Sequence, residues 1–267
     1  MNAQSARRIL AMGGGGFTMG EVEPALDALV LSLTGKAVPK VCFLPTASGD
    51  PSDQVARFHE RFGSWPCEPS ILSLFHLARD RIDPVKHLLA QDAIYVGGGS
   101  MRNLLAVWRE HGIDEAVRIA WESGVVLAGL SAGAMCWFEG GVSMSAGAPA
   151  PVRGLGMLRG SLSVHLDAEA QRLPIFRRAI GSGALPSGYA ADDGAALLFS
   201  GSELAECVGS RPGARVVRVT PNDRGGVLER PLPVRLLSDV RRFEAEAVDA
   251  GAVAELRDLR AGGSRWR

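Results

Sequence analysis

Gly129-Leu130-Ser131-Ala132-Gly133 stands where the apolar run 125–128 gives way to the small residues that follow. A serine so framed fits Gly-x-Ser-x-Gly, the turn that carries a nucleophile from a strand into a helix. The spacing has a physical reason. The serine must take a strained backbone conformation, and glycines two positions away on each side let neighbouring chain approach without clashes. Its hydroxyl then projects above a sheet at a helix N-terminus, where exposed N–H groups favour developing negative charge. The competing reading is a tight structural turn, and the partners available elsewhere decide between the two.

A nucleophilic serine needs a base. Of five histidines, His59, His76, His87 and His111 lie in helical or charged segments typical of solvated surface. His165 ends an apparent strand, Gly160-Ser161-Leu162-Ser163-Val164-His165, and is the best candidate. An acid must then fix the imidazole tautomer. Asp192 and Asp193 compete in a turn that leads into a strand, with Asp193 preferred once the resemblance below is added. Asp167 reads as a cap of the following helix, and Glu139 as solvated. Consecutive glycines at 97–99 end another strand and could aim backbone N–H groups at an oxyanion. The run 13–16 lacks the spacing of a nucleotide loop and reads as a turn in which backbone approaches backbone.

The elements that must position these residues alternate in type. Strands are expected at 8–12, 40–44, 70–75, 93–96 and 125–128, with helices at 21–33, 53–62, 83–90 and 102–123, the last broken at Gly112. That alternation predicts a parallel sheet covered by helices, with ligand-binding loops at the carboxyl ends of its strands. Beyond Pro149 the pattern changes. A strand at 160–166, a helix at 168–180 and three short strands at 195–199, 203–209 and 215–220 are expected, the last three as an antiparallel meander. A further helix is expected around 240–248.

Composition excludes several classes of function. The chain has 267 residues, with 29 Lys plus Arg against 29 Asp plus Glu, so charge gives no support for nucleic-acid or membrane-surface binding. Its four cysteines form no Cys-x-x-Cys pair, so neither a disulfide framework nor a zinc site is expected, and the cytoplasm is the expected location. No apolar run reaches the roughly 18 residues of a membrane span, and the first ten residues do not read as a secretory signal. Neither metal nor organic cofactor is implied.

With these residues identified, the chain resembles the peptidase E (aspartyl dipeptidase) family of serine peptidases, which also includes cyanophycinase. The resemblance rests on FLPTAS at 43–48, IYVGGGSMRNLL at 94–105, GLSAGAMCWFEGG at 129–141, SVHLDAE at 163–169 and GYAADDGAAL at 188–197. It implies a three-layer α/β/α sandwich with a mostly parallel sheet, like that of class I glutamine amidotransferases. It further implies Ser131 as nucleophile, His165 as base and Asp193 as acid, with Asp192 as the rival for that last role. Ala132 N–H and an N–H from Gly98 or Gly99 would form the oxyanion hole. The expected reaction is hydrolysis of short peptides, with dipeptides carrying an N-terminal aspartate as candidate substrates. Arg172 is the candidate cation for the substrate carboxylate and Arg102 its alternative. Met144, or a neighbouring small residue, stands in the stretch where some members carry an aspartate. The alternatives are a cyanophycinase-like β-aspartyl peptidase and a non-catalytic binding protein of the same fold. A cysteine-dependent amidase is disfavoured because the turn carries serine. Residues 1–225 are expected to form the hydrolase domain, with 226–267 either a C-terminal extension or part of the same domain. The expected partners are a small peptide substrate and, in a homodimer, a second copy of the chain.

Overall fold

A computed structural model describes residues 7–19 and 24–237. Strand β1 (Arg8–Met12) leads through a short 3-10 turn, Gly16–Met19, towards helix α1 (Ala25–Leu33). Strand β2 (Lys40–Leu44), helix α2 (Ser52–Gly63) and strand β3 (Glu68–Ile71) follow, then helices α3 (Leu77–Asp80) and α4 (Pro84–Leu89). Next come β4 (Ala93–Val96), α5 (Met101–His111), α6 (Ile113–Glu122) and β5 (Val126–Leu130). The single turn α7 (Ala132–Met135) opens a strand-rich half containing β6 (Phe138–Ala146), β7 (Ala148–Arg153) and β8 (Leu158–Ser163). Helix α8 (Arg172–Gly181) precedes β9 (Gly188–Ala191), β10 (Ala195–Ser200) and β11 (Glu203–Gly209). Strands β12 (Val216–Pro221), β13 (Val227–Leu232) and β14 (Val234–Leu236) end the described chain.

The strands make two sheets. The first has the order β14-β11-β10-β1-β5-β4-β2-β3, and β1, β5, β4, β2 and β3 run parallel. Each inner parallel strand is apolar on both faces, as burial on both sides requires. In β1, Ile9 and Ala11 face one core while Leu10 and Met12 face the other. Helices α1 and α2 cover the second face with Leu26, Val30, Phe58 and Phe62, and α5 and α6 cover the first with Leu104, Leu105, Trp108, Val117 and Trp121. The fold is α/β, and its first sheet lies between two helical layers. Local chemistry sets the helix ends: the Ser100 hydroxyl accepts from Asn103 N–H at 3.2 Å to open α5. Gly112, at φ +65°, ends it and starts α6.

The second sheet, β13-β12-β9-β8-β6-β7, corrects the expected meander. Strands β10 and β11 do pair antiparallel, but β12 leaves them and pairs with β9 and β13. Helix α8 packs on this sheet, with Phe176, Ala179 and Ile180 against Val142, Ala190 and Val219. Three other expectations shift. The strand expected at 70–75 forms at Glu68–Ile71, because pairing with Lys40–Phe43 rather than apolar character sets its limits. The helix expected from 168 begins at Arg172. The strand expected at 160–166 runs from Leu158 to Ser163, and β13 and β14 carry the sheets past 225 through Leu236. Residues 21–23 of the first expected helix, and the helix expected around 240–248, lie outside the described residues.

Candidate active site

The triad candidates and the 97–99 loop sit just past the carboxyl ends of strands. Ser131 follows β5, and residues 97–99 follow its parallel neighbour β4. His165 follows β8, and Asp193 lies just past its parallel neighbour β9, where the chain crosses from the second sheet to the first. Sequence separation is thus removed by strand pairing, in the manner of crevices at the carboxyl edge of open sheets.

Ser131 has φ 53° and ψ −114°, a strained conformation for a residue with a side chain. Its flanking glycines are needed for space. A Cβ on Gly129 would strike the Gly133 carbonyl, and one on Gly133 would strike the Val96 carbonyl. Ser131 N–H donates to Met12 O at 3.1 Å, which fastens the turn to β1. His165 is also held at positive φ, 55°, with its N–H on Gly13 O at 3.3 Å. Among the described residues four non-glycine positions have positive φ, and two of them are this serine and this histidine. Backbone strain is therefore concentrated where the two side chains meet.

The side chains form a row. Ser131 Oγ lies 2.9 Å from His165 Nε2, and His165 Nδ1 lies 2.5 Å from Asp193 Oδ1. The neighbouring carboxylate is committed elsewhere: Asp192 accepts from Arg215 N–H and Nε at 2.9 Å and from its terminal nitrogen at 3.2 Å. Consecutive residues with opposite facing thereby split the acidic pair between the imidazole and an arginine. Asp167 does not cap α8. Its Oδ1 accepts from Asp193 N–H at 2.9 Å, its Oδ2 pairs with Arg211, and Arg211 Nε donates to Asp193 O at 3.0 Å. The turn that carries Asp193 is clamped from both sides.

The other residues weighed from the sequence resolve geometrically. Among the described residues, nothing accepts a hydrogen bond from the N–H of Ala132, Gly98 or Gly99. Gly98 lies against the serine, since a Cβ there would sit 3.2 Å from Ser131 Cβ. The helix after the serine is only four residues long, so local N–H groups rather than an extended helix dipole face developing charge. Arg172 is not an open cation. Its guanidinium pairs with Glu169 at 2.5 and 3.1 Å and donates to Val142 O at 3.0 Å, with its side chain 6% exposed. Arg102, in the first turn of α5, is exposed and has no ion-pair partner among the described residues. Glu139 accepts from Gly160 N–H at 2.6 Å, away from the row. Cys136 is fully buried and donates to Gly133 O at 3.1 Å, and burial pushes its thiol well above the ordinary range, so it offers no thiolate.

The 13–16 run gains a role that its spacing alone did not disclose. Gly14 lies against the histidine–aspartate pair: a Cβ there would collide with Asp193 Oδ1 and sit 2.8 Å from His165 Nδ1 and Cε1. Gly14 O accepts from Gly194 N–H at 3.0 Å, so the loop backs the turn as well. Gly14→Ala should fold yet displace His165 or Asp193, lowering kcat by about 100-fold. Steady-state kinetics together with a melting curve check this, and a folded variant with wild-type kcat would refute it.

Among the described residues no helix is long and apolar enough to cross a membrane, and no group of three or more His, Cys, Asp or Glu side chains is arranged to hold a metal. The family model for peptidase family S51 matches residues 9–207. The chain is 47% identical over 231 residues to the uncharacterized peptidase YgaJ of Bacillus subtilis strain 168, covering 86% of this chain and 99% of that protein. Among solved structures it is similar to a peptidase from an acI-B1 actinobacterium, with TM-score 0.67 and 18% identity over 86% of this chain and 96% of the other. It is also similar to a putative peptidase E protein from Listeria monocytogenes EGD-e, with TM-score 0.54 and 16% identity over 85% and 100%. At such identities these two structures speak to the fold alone.

Proposed function

We propose, starting from the membership of this chain in peptidase family S51, that it is a cytoplasmic serine peptidase which hydrolyses short peptides through Ser131, His165 and Asp193. The observation that carries this reading is the unbroken row from Ser131 Oγ through the imidazole to the Asp193 carboxylate. Asp193 holds the Nδ1–H tautomer, which leaves Nε2 with its lone pair towards the serine hydroxyl. As Ser131 Oγ attacks the peptide carbonyl, Nε2 takes the hydroxyl proton. The carbonyl oxygen becomes an oxyanion, which Ala132 N–H and an N–H from Gly98 or Gly99 stabilise. The imidazolium then gives its proton to the leaving amine. Water enters, loses a proton to Nε2 and attacks the acyl carbon; the bond to Ser131 Oγ then breaks, and the imidazolium returns its proton to Oγ as the second product leaves.

Dipeptides with an N-terminal aspartate are the substrates tried first, as the resemblance to peptidase E implies. Because Arg172 is saturated by Glu169 and Val142, Arg102 is the better-placed cation for an acidic substrate group. It stands two residues beyond Ser100, directly after the 97–99 loop. Ser145 Oγ lies 3.4 Å from Arg102 N, so the β6 segment that carries Met144 reaches the same place. A bidentate guanidinium suits a carboxylate better than an ammonium does, so Arg102→Lys should raise KM for aspartyl dipeptides about 10-fold with less effect on neutral ones.

Treatment of the purified protein with a fluorophosphonate tests the reading, alongside a hydrolysis screen over dipeptides varied at the N-terminus and the β-aspartyl-arginine polymer. A covalent adduct on Ser131 and turnover of at least one peptide are expected. An inert Ser131 with no turnover would point instead to a binding protein of the same fold.

A further inference from the structure

Asp27, in the first turn of α1, is fully buried, although nothing in the proposed chemistry calls on it. Its Oδ1 accepts from Tyr95 O–H at 2.9 Å, and among the described residues its Oδ2 has no hydrogen-bond partner. Phe17 N–H also favours the carboxylate. Around them Phe17, Phe43, Phe58, Phe62 and Tyr95 form one aromatic cluster, with Phe17 and Tyr95 centroids 5.3 Å apart. The charged group facing this carboxylate is Arg61 of α2, 3.8 Å from Oδ2; Tyr95 of β4 is the titratable neighbour. A carboxyl group is costly to bury in such a setting, and a purely structural role would be served by an apolar side chain.

Its position gives the cost a purpose. Gly16 rests directly on the pair: a Cβ there would sit 2.7 Å from Asp27 Oδ1 and 2.6 Å from Tyr95 Oη. Two residues earlier the same loop presses Gly14 against His165 and Asp193. Between them, Gly15 stands against Gly194, so contact is continuous from Asp27 to the imidazole. We propose that Asp27, together with Tyr95, is a positioning residue of the active site: it holds the 13–16 loop, and the loop fixes His165 and Asp193. This rests on the serine-peptidase reading above.

Ionisation enters through the same geometry. Burial raises the Asp27 carboxyl from 3.8 to about 7, opposed by Tyr95, Arg61 and the Phe17 amide. The ionised carboxylate draws Tyr95 O–H and Phe17 N–H towards it, whereas the neutral acid holds them less tightly. Because the folded-state value is raised, the folded protein keeps a proton that the unfolded chain releases near pH 4. Folding stability therefore declines as pH rises from about 4 to about 7 through this group. Site order runs the opposite way and improves as Asp27 ionises.

The test measures the rate of fluorophosphonate labelling of Ser131 against pH, with kcat, KM and melting curves, for the wild type and three variants. Asp27→Ala should lower kcat about 10- to 100-fold with KM within 2-fold. Asp27→Asn keeps an acceptor oxygen but stays neutral, so kcat should remain near the wild type's acid-limb value at every pH, and one ionisation disappears from that limb. Tyr95→Phe removes a donor to the carboxylate and should move that limb to higher pH. If Asp27→Ala does not fold, the other two variants still decide. Asn and Phe variants whose curves superimpose on the wild type would overturn the proposal alone. A wild type that does not label would overturn the peptidase reading, and this one with it.

Discussion

Replacing Ser131 by alanine is expected to lower kcat by about 10^4- to 10^6-fold and to abolish fluorophosphonate labelling, with the melting temperature nearly unchanged. The size follows from the proposed mechanism, in which Ser131 Oγ forms the acyl bond: without it, binding and oxyanion stabilisation remain but no nucleophile. The fold should tolerate the change because the contacts that set the turn belong to the backbone. Ser131 N–H still reaches Met12 O, and the glycines on either side still admit the neighbouring chain. Among the described residues the hydroxyl itself makes one hydrogen bond, to His165. Kinetics on any peptide found to be hydrolysed, paired with labelling, reads the result. Full activity, or an adduct formed without the hydroxyl, would remove Ser131 from its assigned role.

Asp193→Asn and Asp192→Asn should separate two carboxylates that the sequence leaves side by side. At position 193 an amide presents N–H to His165 Nδ1 and turns the imidazole to the wrong tautomer, with Nε2–H facing Ser131. The expected cost is about 10^4-fold in kcat with little change in stability. At position 192 the amide instead weakens a buried acceptor of Arg215, whose side chain is 61% exposed while that of Asp192 is 3% exposed. That should cost about 1–3 kcal/mol of folding stability and leave kcat within a few-fold of wild type. Equal effects on kcat at the two positions would show that the acid is shared or misassigned.

The parallel half of the first sheet was readable because β1, β2, β4 and β5 are short apolar runs closed by glycine or proline turns. The helix broken at Gly112 was readable because its apolar stripe keeps the 3.6-residue period on both sides. The second sheet was not. Strand β6 carries Gly140, Gly141 and two serines, and the apolar pair Trp137-Phe138, of which Phe138 opens the strand, continues the small residues of α7 without any change of period. What makes it a strand is pairing with β7 and β8, which no local pattern reports. The same limit governs the site. Gly-x-Ser-x-Gly signals itself within five residues, but the separation of Asp192 from Asp193 depends on Arg215, and the occupation of Arg172 depends on Glu169 and Val142. Asp27 gave no signal, because one acid on an amphipathic helix looks solvated until its burial is known.

The two sheets divide the proposed catalytic residues between them. Ser131 and the N–H groups past β4 and β5 ride on the first, while His165 ends a strand of the second and Asp193 sits where the chain passes from one to the other. Each sheet thus carries a half-site that is inert by itself, and the 2.9 Å Ser131–His165 contact is the join. Catalytic rate then serves as a gauge of how one sheet seats on the other. A slide of one ångström would silence the enzyme while both halves, and the protein's overall fold, stayed whole.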